Sequence, residues 1–283
     1  GDRSPELLSA VRHRRVMDIV SPQNPRVKHI VKLRDDKRTR KEDGLMLVEG
    51  FDEIQLALAA GHKPQTLLSA PELASRALTD SSIESLTVSR AVFEKISYRE
   101  IPDGWMGIVP IPQTSLDDLK LSATPLVIIA ESIEKPGNLG AILRTADAAG
   151  VDALLVCDAR VDVWNPNVVR ASRGAVFSVP IVACENVEAL KWLKGGMPAL
   201  SDVEAIRIVA ASPSAEEIYS AVNLTSPVAI VVGTEDEGLS DFWMTNADVR
   251  VKIPMTGKVN SLNVSVSTAL IIYEAMRQRV ERK

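Results

Sequence analysis

An α/β fold built on a mostly parallel sheet is what this chain predicts, and three observations predict it. Short apolar runs at 126–130, 153–157, 179–183, 206–210, 228–232 and 249–253 are continuous or nearly so, as strands buried on both faces require. Segments with helical spacing lie between them, near 139–149, 166–173, 186–194, 214–221 and 240–246, with Gly150 and Gly195 as stops. A polar stretch carrying Pro110 and Pro112 separates this series from a shorter α/β series ahead of it. The expected organisation is a tail over 1–17, a small α/β domain over 18–110, a linker over 111–123 and a larger domain over 124–283.

Composition bounds what such a chain does. At 283 residues and 46% hydrophobic content it can bury two cores. The net charge of −4 gives no global attraction to nucleic acid or to membranes, so any such binding must come from a local patch. Cys157 and Cys184 lie far apart within apolar runs and only three histidines are present, which argues against a disulfide framework and a zinc site. No metal is expected. No run of about 18 or more apolar residues occurs, and the charged N-terminus lacks the apolar core of a signal peptide. The expectation is a cytoplasmic protein with no membrane partner.

The first domain opens with the strongest basic cluster in the chain. Arg26, Lys28, Lys32, Arg34, Lys37, Arg38, Arg40 and Lys41 outnumber Asp35 and Asp36. A helix over 25–35 turns Val27, Ile30 and Val31 inward and Arg26, Lys28 and Lys32 outward. Such a run is either a solvated face or a phosphate-binding patch; its local character in an acidic protein favours the second, with Arg26, Lys28, Arg38, Arg40 and Lys41 as contacts to a nucleic-acid phosphate backbone. A strand at 45–49, a helix at 50–60 stopped by Gly61, and further strands and helices to 109 complete a small α/β unit.

In the second domain three loops follow strand ends, where parallel sheets bind their ligands. The first, from Glu131, leads into a helix that Asn138 can cap and that carries Arg144 about two turns in. The second is the acidic loop between Gly233 and Gly238. The third runs from Ile253 through Gly257 to Ser261 and Asn263, short polar residues at the start of a helix apolar on two sides, where they serve as caps or meet a ligand. No phosphate-binding lysine motif and no Gly-x-Gly-x-x-Gly run follows a strand, which disfavours P-loop enzymes and ordinary dinucleotide-binding domains.

Asn138-x-Gly-Ala-Ile-x-Arg144, Gly233-x-Glu235-x-x-Gly238, and Ile253-Pro-Met-x-Gly257 with 261–265 resemble, in order, the three motifs of the SpoU or TrmH-type RNA ribose 2′-O-methyltransferases. These belong to the SPOUT class, whose C-terminal segment forms a trefoil knot around S-adenosylmethionine. The likeness is strong over about 124–280. Residues 18–110, with Leu-Val-Glu-Gly at 47–50, resemble more loosely the ribosomal-protein-L30e-like RNA-binding domain of rRNA-directed members, and 162–174 resembles a segment linking substrate and dimer contacts.

The resemblance implies that Gly233, Ile253 and Leu262 hold S-adenosylmethionine, and that Asn138, Arg144, Glu235, Ser261 and Asn263 are catalytic or place the RNA. A guanidinium is a poor base at neutral pH, so Arg144 is expected to clamp a phosphate and stabilise developing alkoxide; the base is unassigned. One departure stands out: Ile133-Glu-Lys-Pro136 replaces the family's usual Asp-x-Pro. The implied protein is a homodimer that methylates structured RNA, with 23S rRNA favoured. A tRNA ribose methyltransferase and a non-catalytic ribosome-assembly factor are the alternatives.

Overall fold

A computed structural model describes residues 18–195, 205–234 and 237–281; the expected tail over 1–17 lies outside them. The N-terminal elements are α1 (Pro25–Asp35), α2 (Lys37–Asp43), β1 (Leu45–Glu49), α3 (Phe51–Ala59), β2 (Thr66–Ser69), β3 (Glu84–Thr87), α4 (Arg90–Ile96) and β4 (Trp105–Pro110). Their sheet has the order β1-β4-β2-β3, with β4 antiparallel to both neighbours and β2 parallel to β3. Local chemistry sets the entry. Asn24 accepts a hydrogen bond from the Arg26 N–H at 2.9 Å ahead of Pro25 at the first helical position, a cap and a pre-set φ together. Asp36 then ends α1 and caps α2, accepting from the Arg38 and Thr39 amides at 3.2 and 2.9 Å. Val27, Ile30 and Leu33 form the buried stripe of α1, with Val31 only partly covered.

The remaining elements are β5 (Leu126–Glu131), α5 (Pro136–Ala148), β6 (Ala153–Cys157), α6 (Pro166–Ser172), β7 (Ile181–Cys184), α7 (Asn186–Lys194), β8 (Arg207–Ala211), β9 (Glu217–Ile218), β10 (Val228–Val232), α8 (Asp241–Asn246), β11 (Val249–Lys252) and α9 (Val264–Val280). They build a sheet of order β7-β6-β5-β10-β8-β11-β9 in which every pairing is parallel. The helix expected over 214–221 is not formed: Glu217–Ile218 pairs with β11, and Tyr219–Ala221 is a single 3-10 turn. Pairing to a sheet edge overrides the weak helical preference of so short a segment. Asn138 lies inside α5 rather than at its cap, which Lys135 occupies. Leu262 precedes α9, whose cap is Asn263.

The two sheets share a continuous apolar core. Val48, Phe51, Ile54 and Ala57 belong to the same buried cluster as Leu139, Ile142, Val168 and Val169. Arg40 crosses this seam and is a correction to the expected RNA contacts: it is 2% exposed, its Nε donates to Asp162 Oδ2 at 2.7 Å, and its guanidinium also donates to the carbonyl of Arg34 at 2.9 Å. An arginine so enclosed is a strut between α2 and the loop after β6. Cys157 and Cys184 are far apart in sequence yet register partners on β6 and β7, both thiols free, with their sulfurs 3.8 Å apart.

The helices α5 and α6 cross at Gly140, where a Cβ would lie 2.8 Å from the Ala171 carbonyl carbon and 2.9 Å from the Ser172 amide nitrogen. Alanine for glycine in a helix interior ordinarily stabilises by about 1 kcal/mol. Here the backbone of α6 must retreat, and overpacking costs about 1–3 kcal/mol. Gly140→Ala is therefore expected to lower the melting temperature, and a thermal unfolding midpoint at or above that of the unaltered chain would contradict the close crossing.

Candidate active site

In the second sheet β5, β6 and β7 run to one side and β10, β8 and β11 to the other, so the chain order reverses between β5 and β10. Loops leaving carboxyl ends on the β10, β8, β11 side converge on one cavity of about 760 Å³, within the size range of small-molecule sites. The loop after β10 doubles back: Thr234 and Gly238 exchange backbone hydrogen bonds of 3.2 and 3.1 Å. That closure is why Gly233 is a glycine, since a Cβ there would sit 2.7 Å from the Leu239 amide nitrogen. Glu131, buried at the end of β5, anchors the far side of the loop. Its carboxylate accepts from the Ser240 amide at 2.9 Å, the Ser240 hydroxyl at 2.6 Å and Asn186 Nδ2 at 2.6 Å. Asn186 Oδ1 in turn accepts from the Trp243 indole at 2.6 Å, which fixes α8 against the loop.

Four residues singled out from sequence, Gly233, Ile253, Ser261 and Leu262, line this cavity. Val232, Val251 and Met255 add apolar wall, while Ser212, Ser214 and Asp241 add polar groups. The mixture fits an adenosyl group: flat apolar walls for the base, hydroxyls and strand-end backbone for the ribose, and an acid for a cationic tail. Sequence reading missed Ser212, Ser214 and Asp241, although the strand-end rule applied to β8 points straight at Ser212.

Asn263 and Asn138 meet at the edge of this region. Asn263 Oδ1 caps α9 by accepting from the Ser265 amide at 3.0 Å, and its Nδ2 donates to Asn138 Oδ1 at 3.1 Å. This ties the first turn of α5 to the cap of α9 across 125 residues. Arg144 is not brought into the cavity. Six residues beyond Asn138, it stands about 9 Å along the helix and about 120° around it. There it lines an adjoining open groove of about 520 Å³ with Arg173, Asp147 and Tyr273. Glu235 lies outside the described residues.

The departure at Glu134 has a partner. Arg160 pairs with Glu134 and, at 2.9 Å, with Glu237 on the cavity rim, so its guanidinium joins the first loop to the second. Both contacts hold the exposed Arg160 guanidinium above its ordinary pKa, the Glu134 hydrogen bond most strongly. Of the basic cluster, Lys28 and Lys41 are exposed, Arg26 pairs with Glu84 at 2.8 Å and Arg38 with Glu42 at 2.7 Å. Among the described residues no group of acids, histidines or cysteines is arranged to hold a metal, and no helix is long and apolar enough to cross a membrane.

A parallel sheet with its cavity at the carboxyl ends of β10, β8 and β11, closed by a doubled-back glycine loop and a capped C-terminal helix, fits a methyltransferase fold of the SPOUT class. The chain belongs to the SpoU rRNA methylase family, whose model matches residues 125–273. An MRM3-like substrate binding domain model matches residues 24–107. A 23S rRNA (uridine(2479)-2′-O)-methyltransferase of Streptomyces viridochromogenes is 29% identical over 268 residues, covering 92% of each chain. The solved SpoU methyltransferase AviRb of that organism, in complex with AdoMet, aligns over 91% of this chain and all of its own at 30% identity and a TM-score of 0.83. A solved RNA 2′-O ribose methyltransferase aligns over 93% of this chain and 99% of its own at 40% identity and a TM-score of 0.79.

Proposed function

We infer that this chain transfers a methyl group from S-adenosylmethionine to a ribose 2′-hydroxyl of 23S rRNA. The observation that carries this reading is the near end-to-end likeness, 92% of both chains, to an enzyme named for that reaction. When bound, S-adenosylmethionine supplies an already activated methyl, so the protein's task is alignment and management of the hydroxyl proton. Gly233, Ile253 and Leu262 hold the cofactor. Ser261 and the Asn138–Asn263 pair position the ribose between cavity and groove, and Glu235 orients Arg144 or contacts the nucleotide. Arg144 meets the RNA strand, clamping a phosphate and stabilising negative charge on the 2′-oxygen.

In this reading 18–110 is an L30e-like RNA-binding domain, 111–123 a linker and 124–283 the catalytic domain. Lys28, Arg38 and Lys41, with Arg26 once released from Glu84, give the first domain its phosphate contacts. A trefoil knot is part of the proposal, supported by β10 and β11 inserting between strands formed earlier in the chain. Work on ribosomal RNA implies the cytoplasm.

Two measurements test this. Isothermal calorimetry is expected to show stoichiometric binding of S-adenosylmethionine without added metal, and labelled methyl transfer is expected on 23S rRNA but not on tRNA. Cofactor binding with transfer only to tRNA moves the assignment to a tRNA enzyme, while no heat at adequate concentration removes the enzyme reading. A C2 dimer is also proposed, because Val266, Leu270 and Tyr273 form an exposed apolar stripe on α9, 47%, 38% and 49% accessible. Light scattering at micromolar concentration is expected to give twice the chain mass, and Leu270→Asp to halve it; a monomeric unaltered chain contradicts the dimer.

A further inference from the structure

We propose that Cys157 and Cys184 are a reversible thiol–disulfide site, oxidised by hydrogen peroxide, whose closure loosens the cavity loop at Ser240. The two cysteines are register partners on β6 and β7, so their side chains leave the same face of the sheet. Neighbouring strands lie about 4.8 Å apart, inside the range of Cα separations that a disulfide bridges. The sulfurs already stand 3.8 Å apart and both thiols are free. Access gives the two different roles. Cys157 is fully buried, whereas Cys184 is half-buried on β7, an edge strand of the sheet. The contact with Cys157 holds the Cys184 thiol below its ordinary pKa, while that contact and burial push Cys157 up; Glu188 and Asp158 oppose the shift at Cys184. The thiolate is the reacting form, so Cys184 reacts first and Cys157 resolves. The Cys184 sulfur attacks one peroxide oxygen, the O–O bond breaks, and a sulfenic acid and water form. The Cys157 sulfur then attacks the Cys184 sulfur, the S–O bond breaks, and a second water leaves with the Cys157 proton. Two electrons have passed from the thiols to the peroxide, and a dithiol reductant returns them by exchange. In a reducing compartment such a bond is transient, as in redox-sensing pairs.

The hydrogen bonds around the pair lead to the cavity. Asp158 follows Cys157 in a left-handed conformation at φ +46°, and its amide donates to the Cys184 carbonyl at 3.1 Å. The Asp158 carboxylate accepts from Asn186 Nδ2 at 2.6 Å, and the same Nδ2 donates to Glu131 at 2.6 Å. Glu131 in turn accepts from the amide and hydroxyl of Ser240, whose neighbours Leu239 and Asp241 line the cavity. Joining the sulfurs draws the ends of β6 and β7 together on this face and moves Asp158 and Asn186 with them. Bonds of 2.6 Å have no room to shorten, so the Asn186–Glu131 contact shifts and Ser240 is held less firmly.

The test uses the full chain, fully reduced and then treated with hydrogen peroxide. Peptide mapping by mass spectrometry is expected to find positions 157 and 184 in one cross-linked peptide that a dithiol separates again. Cys157→Ala leaves Cys184 as a sulfenic acid that a dimedone probe labels, whereas in Cys184→Ala the buried Cys157 stays unlabelled. In the oxidised chain the Ser240 amide exchanges its hydrogen about fivefold faster, and calorimetry shows S-adenosylmethionine bound about fivefold more weakly, the size of one lost hydrogen bond. Both changes reverse on reduction. Neither occurs when both cysteines are replaced by alanine, a variant that also controls for methionine oxidation. Absence of the cross-linked peptide after treatment that oxidises exposed methionines overturns the proposal. So does a cross-link that leaves exchange and affinity unchanged, or an equal change in the double variant. A reduced chain that binds no S-adenosylmethionine overturns the cofactor reading above instead, and the cross-link and the exchange rates still decide this inference.

Discussion

Arg144→Ala is expected to lower single-turnover methyl transfer by roughly a hundredfold or more, the size of effect seen when one transition-state stabiliser is removed. Affinity for S-adenosylmethionine should barely change, because Arg144 lines the adjoining groove and not the cavity. Folding should also survive, since the side chain is exposed and forms no ion pair among the described residues. The two predictions separate chemistry from binding: a rate loss at saturating RNA and cofactor marks action at the reacting ribose, whereas a loss confined to the KM marks docking alone. Transfer at the original rate would make Arg144 an ordinary surface arginine.

Asp162→Asn is expected to cost the fold about 3–5 kcal/mol, the range for removing one partner of a buried ion pair and leaving the other uncompensated. Arg40 and Asp162 are 2% and 13% exposed at the side chain and meet at 2.7 Å. They join α2 to the loop after β6, so their loss loosens the seam between the sheets as well as its local contacts. Arg40→Met combined with Asp162→Leu should recover much of the loss, because a well-packed apolar pair avoids the desolvation that the isolated charge suffers. Urea denaturation of the three variants checks both statements. If Asp162→Asn shifts stability by less than about 0.5 kcal/mol, the pair carries no more than a surface bridge.

Much of the fold was legible because it depends on local pattern. The strands at 45–49, 153–157 and 228–232 were read to the residue, since continuous apolar runs bounded by polar turns have few other uses. The segment 214–221 was misread because its conformation is set by a partner strand and not by its own spacing. Arg40 was misread for a similar reason. Its place in a basic run suggested solvent, and only the three-dimensional path of the loop at 162 shows that it is enclosed.

The candidate site divides in the same way. The strand-end rule led to the loops that carry Gly233, Ile253 and Ser261, and the family resemblance added Leu262; all four line the cavity. Asp241 joined it only when the fold brought α8 alongside. By itself the sequence determined the two α/β parts, the strand-end loops and the family they belong to, because periodicity and motif order are written along the chain. Tertiary structure alone decided that Arg144 faces a groove with Arg173, that Arg40 pairs with Asp162 and that Cys157 lies against Cys184. Each is a contact between distant segments, fixed by how sheets and helices pack, and no one-dimensional pattern encodes that separation.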